Sequence, residues 1–150
     1  MVGFYLASDL SNSSRVTFGG YAEDLVKKGE QIKWYPLVAK KGKFNQWQHT
    51  ILDLQFDGSS IYSKKYNISV FNTASAKMIF PKEEFDNMVS KLNKKFTANE
   101  FSCEYQNNVC SFNLTCEKVQ KLLKPMSIRF GDDWYFNIPS KDYLYTAIDE

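Results

Sequence analysis

The side chains here from which a reactive or ligand-binding site could be assembled are one histidine, three cysteines and two lysine-rich stretches. His49 has the proton affinity for general acid–base work. It follows Trp47-Gln48 in a strand-like pattern, however, and no Gly-x-Ser-x-Gly elbow supplies a serine for it to activate. It therefore reads as a structural or surface residue. Cys103, Cys110 and Cys116 are separated by seven and six positions, without the short Cys-x-x-Cys knuckle of tetrahedral zinc sites, so no metal is expected. Lys40, Lys41 and Lys43 beside Phe44 and Trp47 mix basic and aromatic residues as some nucleic-acid surfaces do, but lysines around a glycine fit a solvated hairpin tip. Lys91, Lys94 and Lys95 fit the exposed face and C-terminal end of an amphipathic helix, where positive charge is favourable.

The 150 residues are 43% hydrophobic and 16% aromatic, enough for one real core and in the size range of one domain. A net charge of +2 with 24% charged residues leaves no overall electrostatic footprint for nucleic acid or an anionic membrane surface. No stretch approaches the roughly 20 apolar residues of a membrane span, and the first residues have no basic region ahead of a long apolar segment, so no signal peptide is read there. Three sequons, at Asn12, Asn67 and Asn113, are glycosylation candidates in a secreted chain. An odd cysteine count implies one that stays a thiol or pairs outside this stretch.

The elements that must carry these residues are mostly strands. Apolar and polar residues alternate around Val16 and Phe18, around Ile32, Trp34 and Val38, and around Leu52, Leu54 and Phe56. They do so again around Ile68 and Val70, and around Met126, Ile128 and Phe130. Turn signals at Gly19-Gly20, Lys41-Gly42, Asp57-Gly58, Asn107-Asn108 and Gly131-Asp132 separate them at short intervals, which predicts antiparallel sheets rather than βαβ units. Pro81 opens a predicted helix with Phe85, Met88, Val89 and Leu92 on one face and Glu83 and Glu84 in its first turn. A polar connection is expected over 91–99. A second, shorter helix is predicted from Glu117 to Leu123, stopped by Pro125, with Val119, Leu122 and Leu123 on its inner side.

The runs Arg15-Val16-Thr17-Phe18-Gly19-Gly20, Trp34-Tyr35-Pro36-Leu37 and Trp47-Gln48, then Leu52 and Asp57-Gly58, resemble in order and spacing the C-terminal lobe of pepsin-like aspartic proteases. Val70-Phe71-Asn72-Thr73-Ala74-Ser75 followed by Pro81 occupies the place of that family's catalytic Asp-Thr-Gly-Thr loop. Leu123-Lys124-Pro125 after Cys116, then Ile128-Arg129-Phe130-Gly131 and Tyr135 to Leu144, resemble the segments that follow. The resemblance implies a mainly β fold with one or two short helices, residues 1–150 being a partial C-terminal lobe. It also implies that Cys116 pairs with a cysteine beyond 150, leaving Cys103 and Cys110 to staple the hairpin around Asn107-Asn108. Buried thiols are the alternative, and the staple needs Cα atoms within about 7 Å.

Catalysis in that family needs two carboxylates about 3 Å apart sharing one proton, one from each lobe. Asn72 has the shape of aspartate but a neutral amide that takes up no proton, so dyad chemistry ends there. Ala74 stands where the resemblance places glycine, and Lys77 where it places an apolar residue, so the loop has drifted as a unit. Asp53 and Asp86 fall in a strand pattern and on a helix, and neither substitutes for the missing acid. The resemblance thus implies a non-catalytic homologue that binds proteins or peptides or serves as a structural module, without cofactor. Its partners are the remaining lobe or a companion chain, and its compartment is secreted or endomembrane lumenal. The alternative is an active endopeptidase whose catalytic residues lie outside this segment. A strand-end Asn capping its own backbone is the bland reading of Asn72.

Overall fold

A computed structural model of the chain describes residues 1–7, 13–39, 41–44, 46–75, 77–104, 109–131 and 134–145. Contacts divide the chain into two compact units, residues 1–34 and 35–150. In the first, β1 (Val2–Tyr5) and β2 (Arg15–Phe18) form an antiparallel ribbon in which Val2 faces Phe18 and Phe4 faces Val16. Because side chains alternate across a strand, those four apolar residues share one face of the ribbon. The chain leaves β2 through Gly19 at φ +84, whose N–H donates to the Met1 carbonyl. Gly3 sits at a close approach: a Cβ there would lie 3.2 Å from the Gly20 carbonyl oxygen, which would have to give by a few tenths of an ångström. Arg15 pairs with both carboxylate oxygens of Asp24 at 3.0 Å.

The second unit is built around strands whose alternation separates a core face from a polar one. β3 (Gln48–Thr50) and β6 (Ile68–Val70) form an antiparallel pair. β4 (Asp53–Phe56), β5 (Ser59–Ser60), β9 (Met126–Arg129) and β10 (Tyr135–Ile138) make a four-stranded antiparallel sheet in the order β10-β9-β4-β5. Leu54, Phe56 and Met126 point into the core, while Asp53 and Gln55 stand on the other face with Ser127 and Arg129 opposite them. The Asp57-Gly58 signal forms a two-residue hairpin loop with φ of +51 and +82, the left-handed pair that suits the twist of the flanking strands.

The expected helix after Pro81 is α1 (Lys82–Lys95), which buries Val89 and Leu92 and continues through part of the stretch expected to be a polar connection. Its periodic apolar stripe carries the helix past residue 91, and Lys91 and Lys95, expected on an exposed face, reach Ser59 and Asp57 instead. β7 (Phe101–Glu104) and β8 (Val109–Phe112) pair as a hairpin with Cys103 opposite Cys110. The two are disulfide-bonded with Cα atoms 4.0 Å apart. The expected turn at Asn107-Asn108 lies outside the described residues. The second expected helix is α2 (Cys116–Leu122), capped by the Thr115 hydroxyl, which accepts from the Lys118 N–H. Leu123 and Val119 are buried but Leu122 is 44% exposed, because a helix this short can turn only one narrow stripe inward. A final turn, α3 (Ser140–Tyr143), brings the Tyr143 ring against Phe56. Burial of that phenol, helped by the negative charge of Asp57, raises its pKa to about 12.

One expected strand does not form. Residues 31–39 lie in no strand, and the backbone tie from that stretch into β3 is the Val38 N–H donating to the Gln48 carbonyl. Alternation there describes an extended segment without a ladder partner among the described residues. The Trp34 side chain is correspondingly 65% exposed.

Candidate functional site

The segment that leaves β6 carries Phe71 to Lys77. Its start is pinned by the Phe71 N–H donating 2.9 Å to the Trp47 carbonyl, which continues the β3–β6 pairing by one bond. After that the loop is held by its own polar groups. The Asn72 side-chain oxygen accepts from the Ala74 N–H at 3.0 Å, and the Asn72 carbonyl accepts from the Ser75 N–H at 3.3 Å. The Ser75 hydroxyl donates to the Lys77 carbonyl at 2.9 Å and accepts from the Lys77 N–H at 3.3 Å. Asn72, Thr73 and Ala74 are exposed and Ser75 is half-buried. The Asn72 amide therefore closes a local turn, as asparagine does at strand ends, and the loop holds no group that exchanges a proton at acidic or neutral pH.

Behind the loop, His49 meets Phe71 edge-on at 5.4 Å and Phe130 at 6.1 Å, and Phe71 and Phe130 pack at 5.6 Å. Nδ1 of His49 is buried without a hydrogen-bond partner. The histidine is thus a packing residue of β3, and the hydroxyl of Ser69, its cross-strand partner on β6, donates to the His49 carbonyl at 3.5 Å and not to its ring.

A second constellation was not readable as one in the sequence. Asp53, on the polar face of β4, accepts from the Ser60 hydroxyl at 2.6 Å and the Leu54 N–H at 2.9 Å through one oxygen. Through the other it accepts from Gln55 Nε2 at 2.9 Å and the Tyr135 hydroxyl at 2.8 Å. Burial acts to raise the Asp53 pKa, but donation from Ser60, Gln55, Tyr135 and the Leu54 N–H outweighs it and holds the carboxyl below its ordinary value. The same bond raises the Tyr135 pKa. A carboxylate with both oxygens saturated ties β4, β5 and β10 together, and it has no lone pair left for a substrate. The signal that could have found it is the alternation that puts Asp53 and Gln55 on one face. Its donor Tyr135 lies 82 residues away, beyond any local pattern.

The other predicted positions fall as follows. Asn67 is exposed immediately before β6. Asn113 is exposed too, but its amide donates 3.3 Å to the Asn99 carbonyl, and the Thr115 of its sequon is the helix cap already described. Asn12 lies outside the described residues. Cys116 is the first residue of α2. Lys41 and Gly42 make the expected turn with φ of +51 and +73, while Lys40 is outside the described residues. Asp86 sits on α1 paired with Lys82. Glu84, expected only to complement the helix dipole, is buried, accepting from the Ser63 N–H and hydroxyl. Among the described residues no group of three His, Cys, Asp or Glu side chains is arranged to hold a metal ion. Nor is any helix among them long and apolar enough to cross a membrane.

Neither the curated proteins nor the solved structures contain a match to this chain. The family model for eukaryotic aspartyl protease, by contrast, matches residues 1–150. That match spans the antiparallel sheets, the helix after Pro81 and the loop between them. The chain therefore belongs to the eukaryotic aspartyl protease family.

Proposed function

We propose that this chain is a non-catalytic part of the C-terminal lobe of such a protease fold, retained to bind proteins or peptides or to support a larger assembly. The observation that carries the reading is Asn72, a neutral amide in the place of an acid, with its oxygen already occupied by the Ala74 N–H. Two further departures, Ala74 and Lys77, lie within five residues of it. A second lobe, in the same protein or a companion chain, would cover the loop side. The Cys103–Cys110 bridge and the exposed Asn67 sequon support a secreted or lumenal compartment, where disulfides persist. The test is incubation of the full-length protein, with both lobes present, with denatured protein substrates at acidic pH, with and without a transition-state inhibitor of aspartic proteases. No inhibitor-sensitive cleavage is expected, and its appearance would overturn the reading.

A further inference from the structure

The hairpin turn that ends β4 collects lysines from α1 and from the segment that follows α2. Lys95 Nζ contacts both carboxylate oxygens of Asp57 at 2.7 and 2.8 Å, and Lys91, one helical turn earlier on α1, places its Nζ on the Ser59 hydroxyl. Lys124, two residues past α2, donates its backbone N–H to Asp57. Its ammonium lies over Gly58, 3.1 Å from where a Cβ would stand. Three ammonium groups thus surround three consecutive turn residues, 57–59, with one carboxylate between them. The formal balance is 3 − 1 = +2, equal to the net charge of the whole chain. The C-terminal ends of the two helices contribute only about half a negative charge each, so about one elementary charge of excess remains. Lys91 and Lys95 are also an i,i+4 like-charge pair, which disfavours the helix unless an anion answers it.

We propose that this turn is a docking point for an acidic peptide segment, whose closely spaced Asp or Glu carboxylates join Asp57 among the three ammonium groups. Carboxylate is the chemistry already seated there. The one tyrosine beside the turn among the described residues, Tyr143, packs on Phe56 and donates its hydroxyl to the Lys124 carbonyl, and does not stand between the lysines as the stacking residues of a single-stranded nucleic-acid site do. The proposal is independent of whether the Asn72 loop has lost catalysis.

The test is fluorescence anisotropy with a labelled oligoglutamate peptide at low ionic strength, with oligoglutamine and a heparin oligosaccharide as comparisons. The chain is expected to bind oligoglutamate and not oligoglutamine, and to weaken as salt is raised. The pair Lys91→Gln with Lys124→Gln is expected to raise Kd about tenfold, as loss of two exposed ion pairs implies. Lys91→Arg with Lys124→Arg should keep the affinity, and so should Lys27→Gln with Lys28→Gln, which removes the same charge in the first unit. Amide shifts of the unaltered chain should move at Ser59, Lys91 and Lys124, a readout that needs no variant to fold. Absence of oligoglutamate binding, equal loss in both glutamine pairs, shifts confined elsewhere, or binding of heparin alone would each overturn the proposal.

Discussion

One carboxylate and one carboxamide of similar shape, Asp57 and Asn72, follow strands of the second unit, and the fold treats them in opposite ways. Asp57, after β4, is bound by groups 38 and 67 residues away: the Lys95 ammonium and the Lys124 N–H. Asn72, after β6, is bound by an N–H two residues away. The first turn locks the ends of α1 and α2 onto the sheet, so its charge and its neighbours are fixed by the fold. Beyond Phe71, which is tied to Trp47 and packs on His49 and Phe130, the second is satisfied by its own polar groups, so Asn72 to Ser75 can change with little effect elsewhere. A turn held largely by local bonds can change its polar residues at small cost in stability, so the fold alone does not fix what stands at Asn72, Ala74 and Lys77.

The contrast makes its largest demand on the aromatic residues beside each turn. Phe56 precedes Asp57, is 2% exposed and packs against Tyr143; Phe71 precedes Asn72 and is 56% exposed. Phe56→Ala is expected to cost about 3–5 kcal/mol, as loss of a buried phenylalanine leaves a cavity. Phe71→Ala should cost less than about 1.5 kcal/mol, the lower burial removing most of the transfer and cavity terms. Urea unfolding of the two variants measures the difference. Similar losses would show that the 71–77 loop is coupled to the core and break the comparison.

A smaller effect separates the two regions by pH. Asp53 has a folded-state pKa below its ordinary value, so its contribution to stability is fully present above the unfolded carboxylate value of about 3.9. That contribution is lost as pH falls through the lower folded value. Asp53→Asn removes the titration and leaves the side-chain shape. The urea midpoint of the unaltered chain should fall on going from neutral pH to below about pH 4 by more than that of Asp53→Asn. An identical fall in both would mean that the four donors do not favour the ionised form.

Much of this was legible before any coordinates. Leu54, Phe56 and Met126 are placed by alternation alone, α1 by its 3.6-residue stripe, and the Asp57-Gly58 turn by a dipeptide whose left-handed φ values few other pairs adopt. The loop at Asn72 was found by motif order, and its position after β6 follows. What was not legible depends on partners distant in sequence. Ile32, Trp34 and Val38 alternate like a strand, but alternation records exposure and cannot say whether a neighbouring strand is present. Glu84 has the spacing of a solvent-facing first-turn acid, and only Ser63, 21 residues earlier, makes it a buried one. The lysine cluster is not visible in the sequence because Lys91 and Lys95 lie on α1 and Lys124 lies beyond α2, and composition reports only their sum with the rest of the chain.

The smallest expected effect lies at Asn72 itself. Asn72→Ala removes one exposed side-chain acceptor whose bond reaches only to Ala74, so the loss should be within about 1 kcal/mol, the range of a local cap. Asn72→Asp keeps the acceptor and should be equally stable at neutral pH. It restores one carboxylate, whereas water activation requires a pair sharing a proton. The chain carries no Asp-Thr-Gly or Asp-Ser-Gly elsewhere, so this variant alone is expected to leave denatured protein uncleaved at acidic pH. Electrophoresis of the digest and the urea midpoint check the two halves separately. A loss well beyond 1 kcal/mol in Asn72→Ala would place the loop among the elements that hold the fold. Cleavage by Asn72→Asp would reveal a second acid already positioned against it.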